Sequence, residues 1–426
     1  MAVYLPVEIL SLIFTSLIDD LLGAINPLRK NGVRDAYGLL LVSRSVRAIV
    51  EPILYRTISE PTDRRLRVLF RSMNLRPELA AMVREIDLAE DGLTWSEDEG
   101  EDEDDEDEDS SSDEYRPSPD IQNPSRSEIA DAAGKLLKNK FETNGERIQS
   151  LEQDCLEKIK KFNPHAMRWA LLSQLSNLTS LMLTARSGSF AIMAMLLRLP
   201  RLEQLSFTNW VGTRKHWEED FPPEDILESI ISSTKRLKYL KWEVRSGSCS
   251  FPLKHDTPKL KQIIERHAAG TLEHLEIVCG LSDERDWYIG QECIGIDIDG
   301  GFGSMLNFTN LASLYIQLEV LLGKPEDEIR LKDVLPPQLQ HFTGFSLPGC
   351  HWQREPGRIW EEEDYLPQFE ELAAAAKHDQ RLASLQSVQI HRTRNEVSGY
   401  CSPGPGRSGD YEDGILGHSR IRFGWF

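Results

Sequence analysis

Apolar positions along this chain follow two rhythms, one helical and one strand-like. Near the start the spacing is helical: Ile9, Leu10, Ile13, Phe14 and Leu17 share one face of a predicted helix over residues 6–18. Pro6 suits the first helical position, where its missing N–H costs nothing. A second helical face comes from Val46, Ile49, Val50, Ile53 and Leu54, with Ser43 as its N-cap. Between the two, Leu39 to Val42 predicts a short buried helix. Three helices this small cannot bury all their apolar surface alone, so part of it is expected to stay available to a partner. Residues 64–82 predict a further helix, leading into Val83-Arg84-Glu85-Ile86-Asp87-Leu88, whose alternation predicts a half-buried strand.

Helical spacing returns with Ile148, Leu151, Cys155, Ile159 and Phe162, and again from Met167 to Leu175, with Pro164 dividing the two. The second rhythm then takes over, as the unit Leu-x-x-Leu-x-apolar. It occurs at Leu178/Leu181/Leu183, Leu202/Leu205/Phe207, Leu237/Leu240/Trp242, Leu272/Leu275/Ile277 and Leu311/Leu314/Ile316. Weaker copies are Leu339/Phe342 and Leu385/Val388/Ile390, and Val83/Ile86/Leu88 fits as an early one. Each copy predicts one strand. Helical material is expected between copies, around Ala191 to Leu197, Glu224 to Ser232 and Lys259 to Ala268. The intervals between first positions are 24, 35, 35, 39, 28 and 46 residues. The short ones match the period of leucine-rich repeats, which these units resemble; the long ones need insertions. The asparagine ladder of regular arrays is absent, so the array is expected to be irregular. The expected fold class is α/β, with an N-terminal helical module followed by a solenoid of parallel strands on a concave face and helices outside. The competing reading is a set of unrelated strands in an ordinary α/β domain.

Charge changes this picture at one place. The net charge is −20, yet residues 97–114 alone carry fourteen acids and no base. That leaves −6 for the remainder and no broad basic face for nucleic acid. So dense a run of like charge predicts disorder from about 93 to 126. It reads either as a solvated loop or as a binder of basic nuclear proteins. No apolar run approaches the length of a membrane span. The six cysteines are scattered without a CxxC pair, which suits reduced thiols in cytoplasm or nucleus. No HExxH, nucleophile elbow or Walker loop is present, so no enzyme activity, metal or cofactor is expected. Gly404-x-Gly406-x-x-Gly409 copies a dinucleotide fingerprint in form only, because Pro405 interrupts it and no βαβ pattern surrounds it. The alternating Ile421, Phe423 and Trp425 predict either a terminal strand closing the array's edge or a peptide for a partner.

The first segment resembles an F-box, the helical module that joins a substrate receptor to a Skp/cullin ubiquitin ligase. The resemblance rests on Leu5-Pro6-Val7-Glu8-Ile9-Leu10, Ile13-Phe14, Leu17, Leu39-Leu40-Leu41-Val42-Ser43-Arg44, Arg47 and Glu51-Pro52-Ile53-Leu54-Tyr55. It implies adaptor contacts at Leu5, Pro6, Ile9, Ile13, Phe14, Leu40, Val42, Ser43, Arg44 and Val46. Two departures stand out: about fifteen extra residues around Asp19 to Tyr37, and Val46 where a tryptophan is often found. A helical cap on a repeat array would show similar apolar faces. An F-box followed by leucine-rich repeats is a frequent pairing in fungal families, and Arg76-Pro77-Glu78-Leu79 also looks like that group. The implied organisation is an F-box over 1–60, a linker helix and first strand over 61–92, the acidic insertion over 93–126, a leucine-rich-repeat-like domain over 127–395 and a Gly/Pro-rich tail over 396–426. The resemblance implies a substrate-recognition subunit that meets a Skp-type adaptor, a cullin scaffold and a target protein. The alternative is a repeat-based interaction protein without ligase coupling.

Overall fold

The computed structural model describes residues 6–23, 38–59, 63–88, 156–157, 159, 164–186, 197–211, 223–246, 253–281, 296–323, 329–346, 362–392 and 419–424. The acidic run, the helix expected at Ala191, the Gly404 motif and Trp425 lie outside them. Two compact units emerge, Met1–Leu175 and Ser176–Phe426. Both mix helices with parallel strands, in agreement with the expected α/β class.

In the first unit, α1 spans Val7–Gly23, a short 3-10 helix spans Leu39–Leu41, and α2 spans Arg44–Leu54. The first helix therefore runs five residues beyond its predicted end and absorbs part of the extra segment. Strand β1 (Thr57–Ser59) is followed by α3 (Asp63–Leu75), α4 (Pro77–Met82) and β2 (Glu85–Leu88). One helix was expected over 64–82, but Pro77 splits it. Its ring disfavours the helical region for the residue before it, and Arg76 takes φ −137°, ψ 77°. Leu66, Phe70 and Met73 of α3 are fully buried, and α3 packs on α5, Pro164–Leu172. With α3 and α4 as the crossover, β1 and β2 pair parallel, Ile58 opposite Ile86.

In the second unit the predicted copies become strands: β3 (Ser180–Arg186), β4 (Gln204–Val211), β5 (Tyr239–Ser246), β7 (His274–Leu281), β9 (Ser313–Gln317), β10 (His341–Ser346) and β11 (Ser387–Arg392). They pair parallel, each beside the next copy in the chain. The register follows the repeat. Leu181, Leu205, Leu240, Leu275, Leu314, Phe342 and Val388 form one buried row. Two residues on, Leu183, Phe207, Trp242, Ile277, Ile316, Gly344 and Ile390 form the next. Gly344 explains why its copy looked weak. A Cβ there would come within 2.9 Å of Leu318 Cδ2 and 3.0 Å of Phe369 Cζ. Those two side chains fill the place a large residue occupies elsewhere.

The second residue of each copy supplies the joint. The Thr179 carbonyl accepts from the N–H groups of Glu203 and Gln204. The Glu203 carbonyl does so for Lys238 and Tyr239, and Lys238 for Glu273 and His274. The pattern continues through Glu273, Ala312 and Gln340. Arg56 makes the same joint to Arg84 and Glu85, so Tyr55-Arg56-Thr57-Ile58 is a further copy.

Between these strands run α6 (Pro223–Ile231), α7 (Thr257–Ala268), α8 (Leu318–Leu322), α9 (Leu331–Val334) and α10 (Glu362–Ala376). Helix α7 is capped by Asp256, whose carboxylate accepts from the Lys259 N–H at 2.8 Å. Two short strands that the repeat did not predict, β6 (Leu253–Asp256) and β8 (Ile296–Asp299), pair parallel in a ladder of their own. The terminal strand is β12, Ser419–Gly424, antiparallel to β11, with Phe423 opposite Val388. Among the described residues no helix is long and apolar enough to cross a membrane.

Candidate functional site

Helix α1 carries one wide apolar arc, part of it turned inward and part outward. Its first N–H groups to bond, those of Ile9 and Leu10, donate to the Pro6 carbonyl, which places Pro6 one residue before the helix. Glu8 sits in the first turn, where the helix dipole favours it. Ile18 is buried, and Leu10 and Phe14 are half-buried on its side. The outward part carries Ile9, Leu12, Ile13 and Leu17, at i, i+3, i+4 and i+8, all exposed. Leu12 is 68% exposed, more than any of the other three.

The 3-10 helix adds to this apolar exposure. None of its residues is buried, which corrects the expectation of a buried segment at Leu39 to Val42. Leu41 is 88% exposed and Val42 is 67%. Three residues form too short a helix to turn one side inward and still cover the rest. Leu39 and Leu40 are half-buried, while the tip faces solvent.

Helix α2 holds this region in place. Ser43 is its N-cap, as predicted, with Oγ accepting from the Val46 N–H at 3.1 Å. Val50 is fully buried. Glu51 accepts a two-pronged bond from Arg76, at 2.8 and 3.0 Å, and a third contact from Arg47 at 3.3 Å. The Arg76 bonds hold the Glu51 carboxyl below the usual range, burial opposes them, and Arg47 adds to the lowering. Helix α1 packs against α2, and α2 against the 3-10 helix.

Of the adaptor-contact residues implied by sequence, Leu5 lies outside the described residues. Pro6, Ile9, Ile13, Val42, Ser43 and Arg44 are exposed, and Phe14, Leu40 and Val46 are half-buried. Phe14 thus belongs with the inward side of α1 rather than with Ile9 and Ile13. Leu12 and Leu41 were not anticipated. Their signal is an apolar arc on α1 broken only on the side of Glu8, Ser11 and Thr15 and by Ser16, and an apolar run through Leu39 to Val42, more than one inward stripe can use.

The strand array offers a second surface. The face opposite its buried rows presents Met182, Ser206, Lys241, Glu276, Tyr315, Thr343 and Gln389 in register. Lys241 and Glu243 pair at 3.5 Å, and Tyr315 stacks on Phe345 at 4.8 Å. Burial, with Glu276 beside it, pushes the Tyr239 hydroxyl well above its ordinary value. Among the described residues this is a mixed polar and aromatic face.

Beneath the buried rows sits an ionisable cluster. His255 of β6 is wholly buried and stacks at 6.3 Å on Trp242, which itself stacks on Phe207 at 4.9 Å. His255 Nδ1 lies 2.5 Å from Glu224 Oε1, off the line of a hydrogen bond, so the contact is chiefly ionic. Burial pushes the imidazole down, but the Cys279 and Glu224 side chains outweigh it and raise the group to about 10. The cluster is sealed from solvent and serves the core.

Compared with known proteins, the chain matches no family model and no curated protein.

Proposed function

We propose that this protein is the substrate-recognition subunit of a Skp/cullin/F-box ubiquitin ligase, working in cytoplasm or nucleus. In this reading α1, the 3-10 helix and α2 form the F-box and dock on a Skp-type adaptor. The observation that carries the reading is the outward apolar side of α1, Ile9, Leu12, Ile13 and Leu17, together with the exposed Leu41 and Val42. That surface is held by the α1–α2 packing and the Glu51–Arg76 pair, so an adaptor would meet it pre-formed. Burying it returns about 25 cal/mol per Å².

The strand array is read as an irregular leucine-rich-repeat solenoid. Its support is the pairing of each copy with the next and the recurrent carbonyl joint. Its polar and aromatic face would hold a target protein near a ubiquitin-conjugating enzyme carried by the cullin. The subunit would then act through effective concentration and orientation, with no chemistry, metal or cofactor of its own.

The test is co-purification of the full chain with a Skp-type adaptor, beside Ile9→Glu combined with Ile13→Glu. The wild type is expected to retain the adaptor. The variant is expected to lose it at least tenfold, with its melting temperature unchanged because both side chains already face water. A wild type that fails to bind, or a variant that binds equally well, removes the proposal.

A further inference from the structure

At the edge of the sheet where β4 and β5 begin, two loops bring three cations together around a depression of about 430 Å³. Its lining is Thr179, Pro200, Arg201, Glu203, Lys235 and Arg236. The repeat explains the arrangement. Gln204 pairs with Tyr239, so Arg201 and Arg236, each three residues earlier, hold equivalent places on adjacent copies. Adjacent strands lie about 4.8 Å apart, a spacing at which two guanidinium groups can serve one anion. In each copy this place is the residue before the first leucine. Elsewhere in the second unit it is Asn177, Thr271, Asn310, Gln338 or Ser384, so within that unit only these two neighbouring copies carry arginine there.

The two loops are tied together before any ligand arrives. The Leu199 N–H donates to Ser233 Oγ at 3.0 Å. The Glu203 carbonyl receives Lys238 and Tyr239. Among the described residues neither Arg201, Lys235 nor Arg236 has an ion-pair or hydrogen-bond partner for its side chain. Many other cations of this unit do: Lys238 pairs with Glu273 at 3.2 Å, Lys259 with Asp225 at 2.5 Å and Arg266 with Glu228 at 2.7 Å. Glu203 is the one carboxylate in the lining, leaving an excess of two positive charges.

We propose that this depression is an anion-binding site for a phosphate monoester, as borne by a phosphorylated serine or threonine of a bound protein. A phosphate monoester carries close to two negative charges at neutral pH and three strong acceptor oxygens. It therefore matches the charge excess and can accept from both guanidinium groups, with Lys235 as a point charge. The site belongs to the second unit and does not depend on the function proposed for the N-terminal helices.

The experiment is isothermal titration calorimetry on the full chain at low ionic strength. The probes are a short phosphoserine peptide, the same peptide with serine, and inorganic phosphate. The phosphopeptide is expected to bind and the serine peptide to be at least tenfold weaker. Arg201→Gln with Arg236→Gln is expected to weaken the phosphopeptide at least tenfold. Glu203→Gln is expected to tighten it about threefold, a change of sign that loss of structure would not produce. Inorganic phosphate binding as tightly as the phosphopeptide would retain the anion site and assign it to free phosphate. Absence of binding by both phosphate probes, or affinity unchanged in the double arginine variant, overturns the proposal.

Discussion

The N-terminal helices and the strand array treat their apolar residues in opposite ways. In the array, the leucines that open the copies point inward: Leu178, Leu202, Leu237, Leu272 and Leu311 are all buried, as are the two rows that follow them. In α1, half of an equally apolar sequence points outward. The array can be selective because each copy has a neighbour to cover it. Among the described residues nothing covers the outer side of α1, and the arrangement of the helices rests on Ile18, Val50, the Ser43 cap and the Glu51–Arg76 pair. Apolar content alone therefore does not decide burial; the number of layers available to cover it does.

Substitutions should divide along this line. Trp242→Ala is expected to cost about 3–5 kcal/mol by leaving a cavity beside Phe207 and His255, read by chemical denaturation. A smaller loss should come with pH. The His255 value is raised from 6.5 to about 10, so the stability it contributes is complete below pH about 6.5 and is lost as pH rises through about 10. The melting temperature of the wild type should fall between pH 7 and 10 more steeply than that of His255→Phe. Parallel profiles would show that the buried contact does not depend on the imidazole's charge. Least affected should be Leu12→Ser, within about 0.5 kcal/mol of wild type, because its side chain is already in water. A large loss at Leu12 would mean that the outer side of α1 is covered in solution.

Much of the array was legible because its period forces register. Once the second leucine of one copy pairs with that of the next, every inward position follows. The weak tenth strand was legible only in part, since Gly344 replaces an apolar residue whose space is taken from Phe369 and Leu318, both distant in sequence. The copy at Tyr55 to Ile58 was hidden because its apolar pair adjoins a helix and its strand is three residues long. Strands β6 and β8 left no trace either, being four residues each and outside the period. For the candidate site, the helices and the Ser43 cap were legible, but not which side of α1 faces out. That depends on packing against α2, which so wide an apolar arc does not encode. Arg201, Lys235 and Arg236 read as ordinary surface charge until the register sets two of them on neighbouring copies.

The repeated carbonyl joint has a consequence for how such a molecule can change over time. Because a single acceptor on one copy seizes two donors of the following copy, the intervening excursion need only depart and come home; its size is immaterial to the seam. Excursions from 24 to 46 residues already coexist along one seam. Lineages can therefore rewrite these detours, and whatever they touch, while the stitching beneath stays the same.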